Sequence, residues 1–398
     1  MSRLDELIAE LCPDGVVYKP FFDIADYIRG VTYGKSKEIT DGSDGYNLLR
    51  ANNITLSSNT LNFDEVKVID FSVKVKDSQM LTKGDILICA GSGSKEHIGK
   101  VAYILEDMNY TFGGFMGVIR TNPLFVSSRY MFHILTSTMF KEHLRKASGA
   151  SSSTINNINN DTWRGFTLPV PPLEVQREIV RILDNFTELT AELTAELTAR
   201  KKQYEYYCHS LFENANGIKM VTLDQISENC DSQRKPVTSG NRELGDIPYY
   251  GASGIVDYVK DYIFDGDYLL ISEDGANLLA RSTPIAFSIS GKTWVNNHAH
   301  VLRFDEYATR RYVEMYLNSI DLSYYITGAA QPKLNQKNLN KIEIPLPDLE
   351  EQKRIIGILD KLFDMCNSMF SGLPAEIEAR QKQYEYYRDK LLTFKPLS

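Results

Sequence analysis

A block of about forty residues, Leu173–Phe212, occurs a second time in this chain, and few folds accommodate such a repeat. LEVQREIVRILDNF (Leu173–Phe186) returns as LEEQKRIIGILDKL (Leu349–Leu362). ARKKQYEYYCHSLF (Ala199–Phe212) returns as ARQKQYEYYRDKLL (Ala379–Leu392), with QYEYY at Gln203–Tyr207 and Gln383–Tyr387. Ile179, Ile182, Leu183, Phe186, Leu189, Leu193 and Leu197 recur every three or four positions, continuing to Tyr204, Tyr207 and Leu211, which predicts a helix with one apolar stripe. Thr190–Leu197 is two TAEL units. A leucine every fourth residue drifts by roughly 40° per unit, so two units still fit a stripe about 100° wide. Uninterrupted, the helix would be about 60 Å long and would need a partner. The second copy supplies one through Ile355, Ile358, Leu359, Leu362, Cys366, Met369 and Leu373. An antiparallel, coiled-coil-like helical pair is expected.

The copies begin alike and differ in the middle. Pro171–Pro172 precedes the first and Pro347–Asp348 the second, where Asp348 and Glu351 suit a capping box. Thr187–Thr198 in the first corresponds to the longer Phe363–Glu378 in the second, which contains Ser371-Gly372-Leu373-Pro374 and predicts a kink or turn.

Each copy follows a globular stretch, residues 21–170 and 214–346. In the first, Val66–Ile69, Asp85–Cys89 and Val101–Leu105 predict strands, and Tyr130–Lys146 a helix. The second repeats this plan: Asp265–Leu270 resembles Lys83–Ile88, and Arg310–Ile320 repeats the late helix. Residues 1–20 predict a short helix, a turn at Pro13-Asp14-Gly15 and the extended segment VVYKPFFDI. That segment resembles GIKMVTLDQI after the first long helix, so the layout is nearly circular. The fold class is α+β with a pseudo-twofold internal repeat: two similar α/β domains separated by two long helices. The divisions are 1–20, 21–170, 171–213, 214–346 and 347–398.

At 398 residues and 43% hydrophobic, the chain is able to fill two domain-sized cores. Five scattered cysteines without a CxxC pair argue against a disulfide framework and for reducing cytoplasm. MSRLDELIAEL is amphipathic and acidic, unlike a signal peptide, and no stretch of about 18 apolar residues suggests a membrane partner. Catalytic signatures are missing. GSGSKEHIGK (Gly91–Lys100) has the wrong glycine spacing for a phosphate loop and places Val101 where a Ser or Thr belongs. PDLEEQK (Pro347–Lys353) packs the letters of a nuclease motif into one helix start, where capping is the better reading. No NPPY, HExxH or GxSxG occurs. The expectation is no catalytic residue, no cofactor and no metal. Two histidines in NNHAH (Asn296–His300), without a third ligand type, are weak metal evidence.

The paired helix copies, ARxKQYEYY and the TAEL units resemble, over essentially the whole chain, the specificity subunit of a type I restriction–modification system, in its TAEL-repeat (type IC-like) group. The resemblance implies that the globular stretches are target recognition domains, each reading half of a bipartite target in double-stranded DNA. It implies that the helices set the spacing and bind two methyltransferase subunits, which are joined by restriction/translocase subunits. Those partners would carry the methyltransferase and ATP-dependent endonuclease activities. The rival reading is a non-enzymatic helical scaffold joining two ligand-binding domains.

A net charge of −8 is poor for a chain holding DNA alone, because phosphate contacts call for a basic surface. The balance is uneven: residues 1–80 carry 9 Lys/Arg against 13 Asp/Glu, whereas 129–170 carry 5 against 2 and 281–345 carry 8 against 5. Each globular half becomes basic just before its helix. Polar loops supply the donors and acceptors that base edges require. Candidate DNA-binding residues are therefore Ser92, Ser94, Lys95, Ser151, Ser152, Thr154 and Asn156 in the first half, and Lys292, Asn296, Asn297, His298, Gln331, Lys333 and Asn335 in the second. For the helix pair or a partner interface the candidates are Leu189, Leu193, Leu197, Tyr204, Tyr206, Tyr207, Tyr384, Tyr386 and Tyr387. Tyr204 with Tyr207, and Tyr384 with Tyr387, share a face at i, i+3 and pack between helices, whereas Tyr206 and Tyr386 point elsewhere.

Overall fold

A computed structural model describes residues 2–56, 58–93, 95–147, 157–328, 331–367 and 372–397. It forms two compact units, Met1–Glu192 with Ile377–Ser398, and Leu193–Glu376. Both boundaries fall inside helices, one in the unbroken central helix Leu173–Glu213 and one in Leu373–Leu391.

In the first unit an antiparallel sheet has the order Ala25–Arg29, Met116–Thr121, Ile86–Cys89, Val101–Tyr103. Ile86–Cys89 is buried along its whole length, which is why its sequence is a continuous apolar run instead of an alternation. Val118 stands between Ile28 and Leu87. Gly117 beside it makes room for the Tyr27 ring, which a Cβ there would approach to 2.2 Å. A second sheet, in the order Tyr110–Phe112, Tyr46–Leu49, Lys67–Ile69, Glu38–Ile39, packs Leu49 and Phe112 with Leu87, Cys89 and Val118, and Leu48 and Ile69 with Val31. The other face of the first sheet meets a larger core built around Trp163, which stacks on Phe21 (4.2 Å) and Phe140 (5.5 Å).

The late helix expected at Tyr130–Lys146 is two helices, Ser128–Thr136 and Thr138–Ala147. The hydroxyls of Thr136 and Ser137 donate to the carbonyls of His133 and Ile134 (3.0 and 2.6 Å), competing with the helix ladder, and Ser137 turns extended. The new helix start is served by Asp389, whose carboxylate accepts the Thr138 amide at 3.1 Å. Arg3–Leu11 is a helix closed by a Ser2–Asp5 capping box, and Val16 bridges Pro396, bringing the two ends of the chain together.

The second unit differs from the expected repeat of the first. Its main sheet is a single six-stranded one, in the order Glu228–Asn229, Ala299–Arg303, Phe264–Ser272, Ala286–Val295, Leu244–Gly251, Gly254–Val259. The shared part is the central antiparallel pair, Phe264–Ser272 with Ala299–Arg303, backed by the helix Tyr307–Ser319. Beyond it, the ten-residue strand Ala286–Val295 carries a hairpin where the first unit builds a separate sheet.

The repeat itself makes equivalent contacts in each unit. Tyr130 hydroxyl donates to the Pro169 carbonyl (3.2 Å), as Tyr312 does to Pro345 (2.6 Å). Gln176 Nε2 donates to the Pro171 carbonyl (2.8 Å), as Gln352 does to Pro347 (2.8 Å). Arg129 pairs with Asp184 (2.8 Å), as Arg311 does with Asp360 (2.6 Å). Tyr18–Pro20 pairs with Thr167–Pro169, as Lys219–Thr222 does with Glu343–Leu346. The second long copy is Leu349–Asn367 followed by Leu373–Leu391. The helix restarts with Pro374 at its beginning, where the missing N–H costs nothing.

Along the TAEL stretch Leu189, Leu193 and Leu197 are half-buried while Glu188, Glu192, Ala195 and Glu196 are exposed, so the stripe persists. In the second unit the Tyr204 ring lies 5.9 Å from Phe363. In the first, Tyr384 hydroxyl lies 3.0 Å from His133 Nδ1, and Tyr387 stacks on Phe186 at 5.5 Å. Tyr206 and Tyr386 are about two-thirds exposed, and Tyr207 lies between these extremes.

Candidate nucleic-acid interface

Ala90 and Gly91, which lead into the first polar cluster, and Ile158, which follows the second, meet at the end of the strand Ile86–Cys89. Phe115 carbonyl accepts the amides of Ala90 (2.8 Å) and Gly91 (2.9 Å), which turns the chain into the Ser92 loop. Ile158 amide donates to the Ala90 carbonyl (2.7 Å), so the chain leaving the second cluster returns to the same point. Gly91 leaves room there for the Asn157 side chain, whose Oδ1 a Cβ would approach to 2.3 Å. Ser94 and residues Ser151, Ser152, Thr154 and Asn156 lie outside the described residues, as does the side chain of Lys95.

Beside this junction opens a groove of about 790 Å³, lined by Ser92, Arg29, Lys35, Arg50, His97 and Phe115 among others. Arg50 follows the strand Tyr46–Leu49, and its amide is held by Asn53 Oδ1 at 2.9 Å. Glu65 approaches one end of its guanidinium, carbonyl at 3.5 Å and carboxylate at 3.7 Å. Arg50 Nε and His97 Nδ1 are buried without a partner. Glu38, the carboxylate among the lining residues, pairs with Lys67 and accepts from Tyr33 (3.2 Å). Those hydrogen bonds, chiefly the one from Lys67, hold its carboxyl below the usual range.

In the second half the same strand end carries charge. Glu273 follows Phe264–Ser272; its amide donates to the His298 carbonyl (2.9 Å) and its carbonyl accepts the Leu334 amide (2.8 Å). Asp274 bridges Lys333, and Gly275 amide reaches the Pro332 carbonyl. His298 and Lys333 are thus brought to one place: His298 Nδ1 lies 2.9 Å from Asp274, and Lys333 Nζ 3.1 Å from Glu273. Asn297 and Gln331 are exposed. Asn296 is buried, its Oδ1 accepting the His298 amide (2.8 Å), so it shapes the turn. Asn335 caps the short helix Gln336–Leu339. Lys292 stands on its strand opposite Asp265 and over the Tyr262 ring at 4.6 Å, in no hydrogen bond with the others.

Beneath these residues Asp231, Glu273 and His300 have donor atoms within 4.8 Å of one another. They do not fit a metal, because their lone pairs are already engaged. Arg234 pairs with Glu273 (2.6 Å) and Asp231 (3.3 Å), and His300 is held between Asp231 (2.6 Å) and the Leu334 carbonyl (2.7 Å). Burial alone would raise both carboxyls, but His300 for Asp231, and Arg234 with Lys333 for Glu273, bring them below their ordinary range. The group acts as a charged brace under the loops. Sequence reasoning missed Arg29, Arg50 and His97 as well as Asp231, Arg234 and Glu273. No periodicity marks them, and the one available signal, an arginine following a strand in LLRANN, is weak by itself.

Type I restriction modification DNA specificity domain is the description of the family that matches residues 13–200 and 216–379. A relative from Haemophilus influenzae and the type I restriction enzyme EcoR124I/EcoR124II specificity subunit of Escherichia coli are each 36% identical, over 195 and 266 residues. These stretches are 48% and 60% of this chain and only 50% and 65% of theirs. A solved chain from a study of complex assembly and conformational transition of the type I R-M system shares the fold, with a TM-score of 0.63 at 17% identity over 96% of this chain and 98% of that one. Two matched segments covering most of the sequence place it without ambiguity: the chain belongs to the type I restriction modification DNA specificity domain family.

Proposed function

We propose that this chain is the sequence-recognition subunit of a type I restriction–modification complex, performing no chemistry itself. Residues 21–170 and 214–346 each read one half of a bipartite site in double-stranded DNA. The helices 171–213 and 347–398 set the distance between the halves and hold two methyltransferase subunits, through which restriction/translocase subunits join. Exposed Tyr206 and Tyr386 occupy equivalent places in the repeat and suit two copies of one partner. The carrying observation is that both units present polar loops at the same strand end, after Cys89 and after Ser272, within one chain. A net charge of −8 fits a subunit whose partners supply much of the positive surface. All five cysteines are buried and unpaired, which suits the cytoplasm. Among the described residues no helix is long and apolar enough to cross a membrane.

The test is selection from a random duplex pool by the complex with methyltransferase. A single consensus of two short blocks around an unread gap is expected. Exchange of residues 21–170 for those of another family member should then alter one block and leave the other, because base contacts specify locally. Sequence-indifferent binding, or an exchange that alters both blocks, would overturn the reading.

A further inference from the structure

Arg50 and His97 line the same groove of the first unit, and each keeps one buried nitrogen, Nε and Nδ1, without a partner. Buried polar atoms in folded proteins are nearly always paired, so two unmatched nitrogens on residues of one lining mark a place where an acceptor is expected. The guanidinium is held from one side by Glu65, which leaves the Nε edge unused. Basic side chains outnumber the one carboxylate in the lining. Arg29 and Lys35 line it too, while Glu38 is already taken by Lys67 and Tyr33. Gly91, Gly93, Gly113 and Gly114 give it a lining without side chains, which lets a bulky anion come close to the backbone.

The shape decides which part of a duplex fits. Base edges lie at the bottom of the major groove and are met by protruding elements. A concave, basic opening instead complements the convex ridge of the sugar–phosphate strand, where most protein–DNA hydrogen bonds are made. Among the described residues the matching strand end of the second unit differs, since Glu273 there answers Arg234 and Lys333.

We propose that this groove seats the phosphodiester backbone of one DNA strand, with Arg50 and His97 donating to a single phosphate and fixing the register of the first domain on its half-site. The proposal rests on the DNA-recognition reading. Arg50 and His97 are positioning residues: they hold the strand so that the neighbouring loops meet their bases, and carry no sequence information themselves.

The experiment is phosphate-ethylation interference on the selected target, with the complex of this chain and its methyltransferase subunits. In the unaltered complex, ethylation of one phosphate in the first half-site should block binding. With Arg50→Gln that position should stop interfering, and the slope of log K against log salt should shrink by about 0.9, close to a ten-fold loss of affinity at 0.1 M salt. Arg50→Lys should restore the slope, which a merely structural role would not do, and His97→Gln should weaken interference at the same phosphate. Methylation mapping should return the same target for all three. An altered base preference in Arg50→Gln would overturn the proposal in favour of base reading, and an interference pattern indifferent to Arg50 would remove the groove from the interface. If the unaltered complex shows no sequence-dependent binding at all, the underlying reading fails instead.

Discussion

His133 Nε2 lies 2.9 Å from Asp184 Oδ1, on the central helix, while His133 Nδ1 faces the Tyr384 hydroxyl at 3.0 Å. Arg129 reaches the same carboxylate (2.8 Å). Three segments far apart in sequence are thus tied through one buried imidazole, which satisfies the need to pair every buried polar group.

This arrangement sets a pH dependence. Burial, the largest influence, lowers the His133 pKa from 6.5 against the opposing pull of Asp184. The folded state therefore keeps the ring neutral while the unfolded chain takes up a proton, so stability is full above about pH 6.5 and falls as pH drops below it, by at most about 1.4 kcal/mol per pH unit. For Asp184 burial is opposed by His133 and Arg129, and its pKa ends below 3.8. Its stabilisation is present above about pH 3.8 and lost as pH falls further. Thermal unfolding of His133→Gln should lose the upper decline and keep the lower one. A variant with an unchanged profile between pH 6.5 and 5 would show that another group titrates there.

Gln176 is fully buried and makes three hydrogen bonds, accepting from the Ser127 amide (3.0 Å) and donating to the carbonyls of Phe125 (2.7 Å) and Pro171 (2.8 Å). Gln176→Ala strands those groups and should destabilise the first unit by about 2–4 kcal/mol. Gln352→Ala should act on the second, where Gln352 accepts from Thr309 and donates to Pro347. Amide hydrogen exchange resolves the two units. Equal loss of protection in both units from either variant would contradict the local account.

Leu189 and Leu193 are half-buried, so replacing both with Asp places charge against a partly desolvated stripe, at a cost of about 2–4 kcal/mol for the pair. Reduced solubility or impaired assembly of the complex is expected. Full solubility with unimpaired assembly would mean that the stripe is dispensable.

The TAEL units offer a ruler. One more unit after Leu197 adds about 6 Å and turns the rest of the helix by about 40°, against about 3.4 Å per base pair. The unread gap of the target should lengthen by one or two base pairs with both read blocks unchanged, as seen by methylation mapping. Deleting a unit should shorten the gap or abolish binding. A gap that ignores TAEL number would show that this helix is not the spacer.

Repetition made the helices legible: a stripe with Ile179, Leu183 and Phe186 admits few other structures, and the copy at Ile355–Leu362 marks the same face. The strand Ile86–Cys89 was equally plain, being an apolar run of strand length. The break at Ser137 was not, because hydroxyls that compete with a helix ladder leave periodicity intact. Nor was the basic groove. Arg29, Arg50 and His97 are far apart in sequence and lie partly within residues 1–80, where 13 acidic residues outnumber 9 basic ones. Local charge counting averages over faces that folding separates. His298 and Lys333 were singled out as separate polar loops, and only the pairing of Asp274 with Lys333 shows why they share a place.

The meeting of Val16 with Pro396 also bears on the order of events during synthesis. The first unit comprises Met1–Glu192 and Ile377–Ser398, whereas the second is the continuous stretch Leu193–Glu376. A ribosome adds about 5–20 residues each second, and domains ordinarily complete in the order in which they emerge. Here that order is inverted. The second unit has all its residues first, while the half-built first unit waits with Leu183 and Trp163 in an unfinished core until Tyr384 and Leu392 are released. The window open to aggregation therefore falls between completion of the second unit and emergence of Tyr384 and Leu392, and a partner that binds the second unit early would meet it before the first is closed.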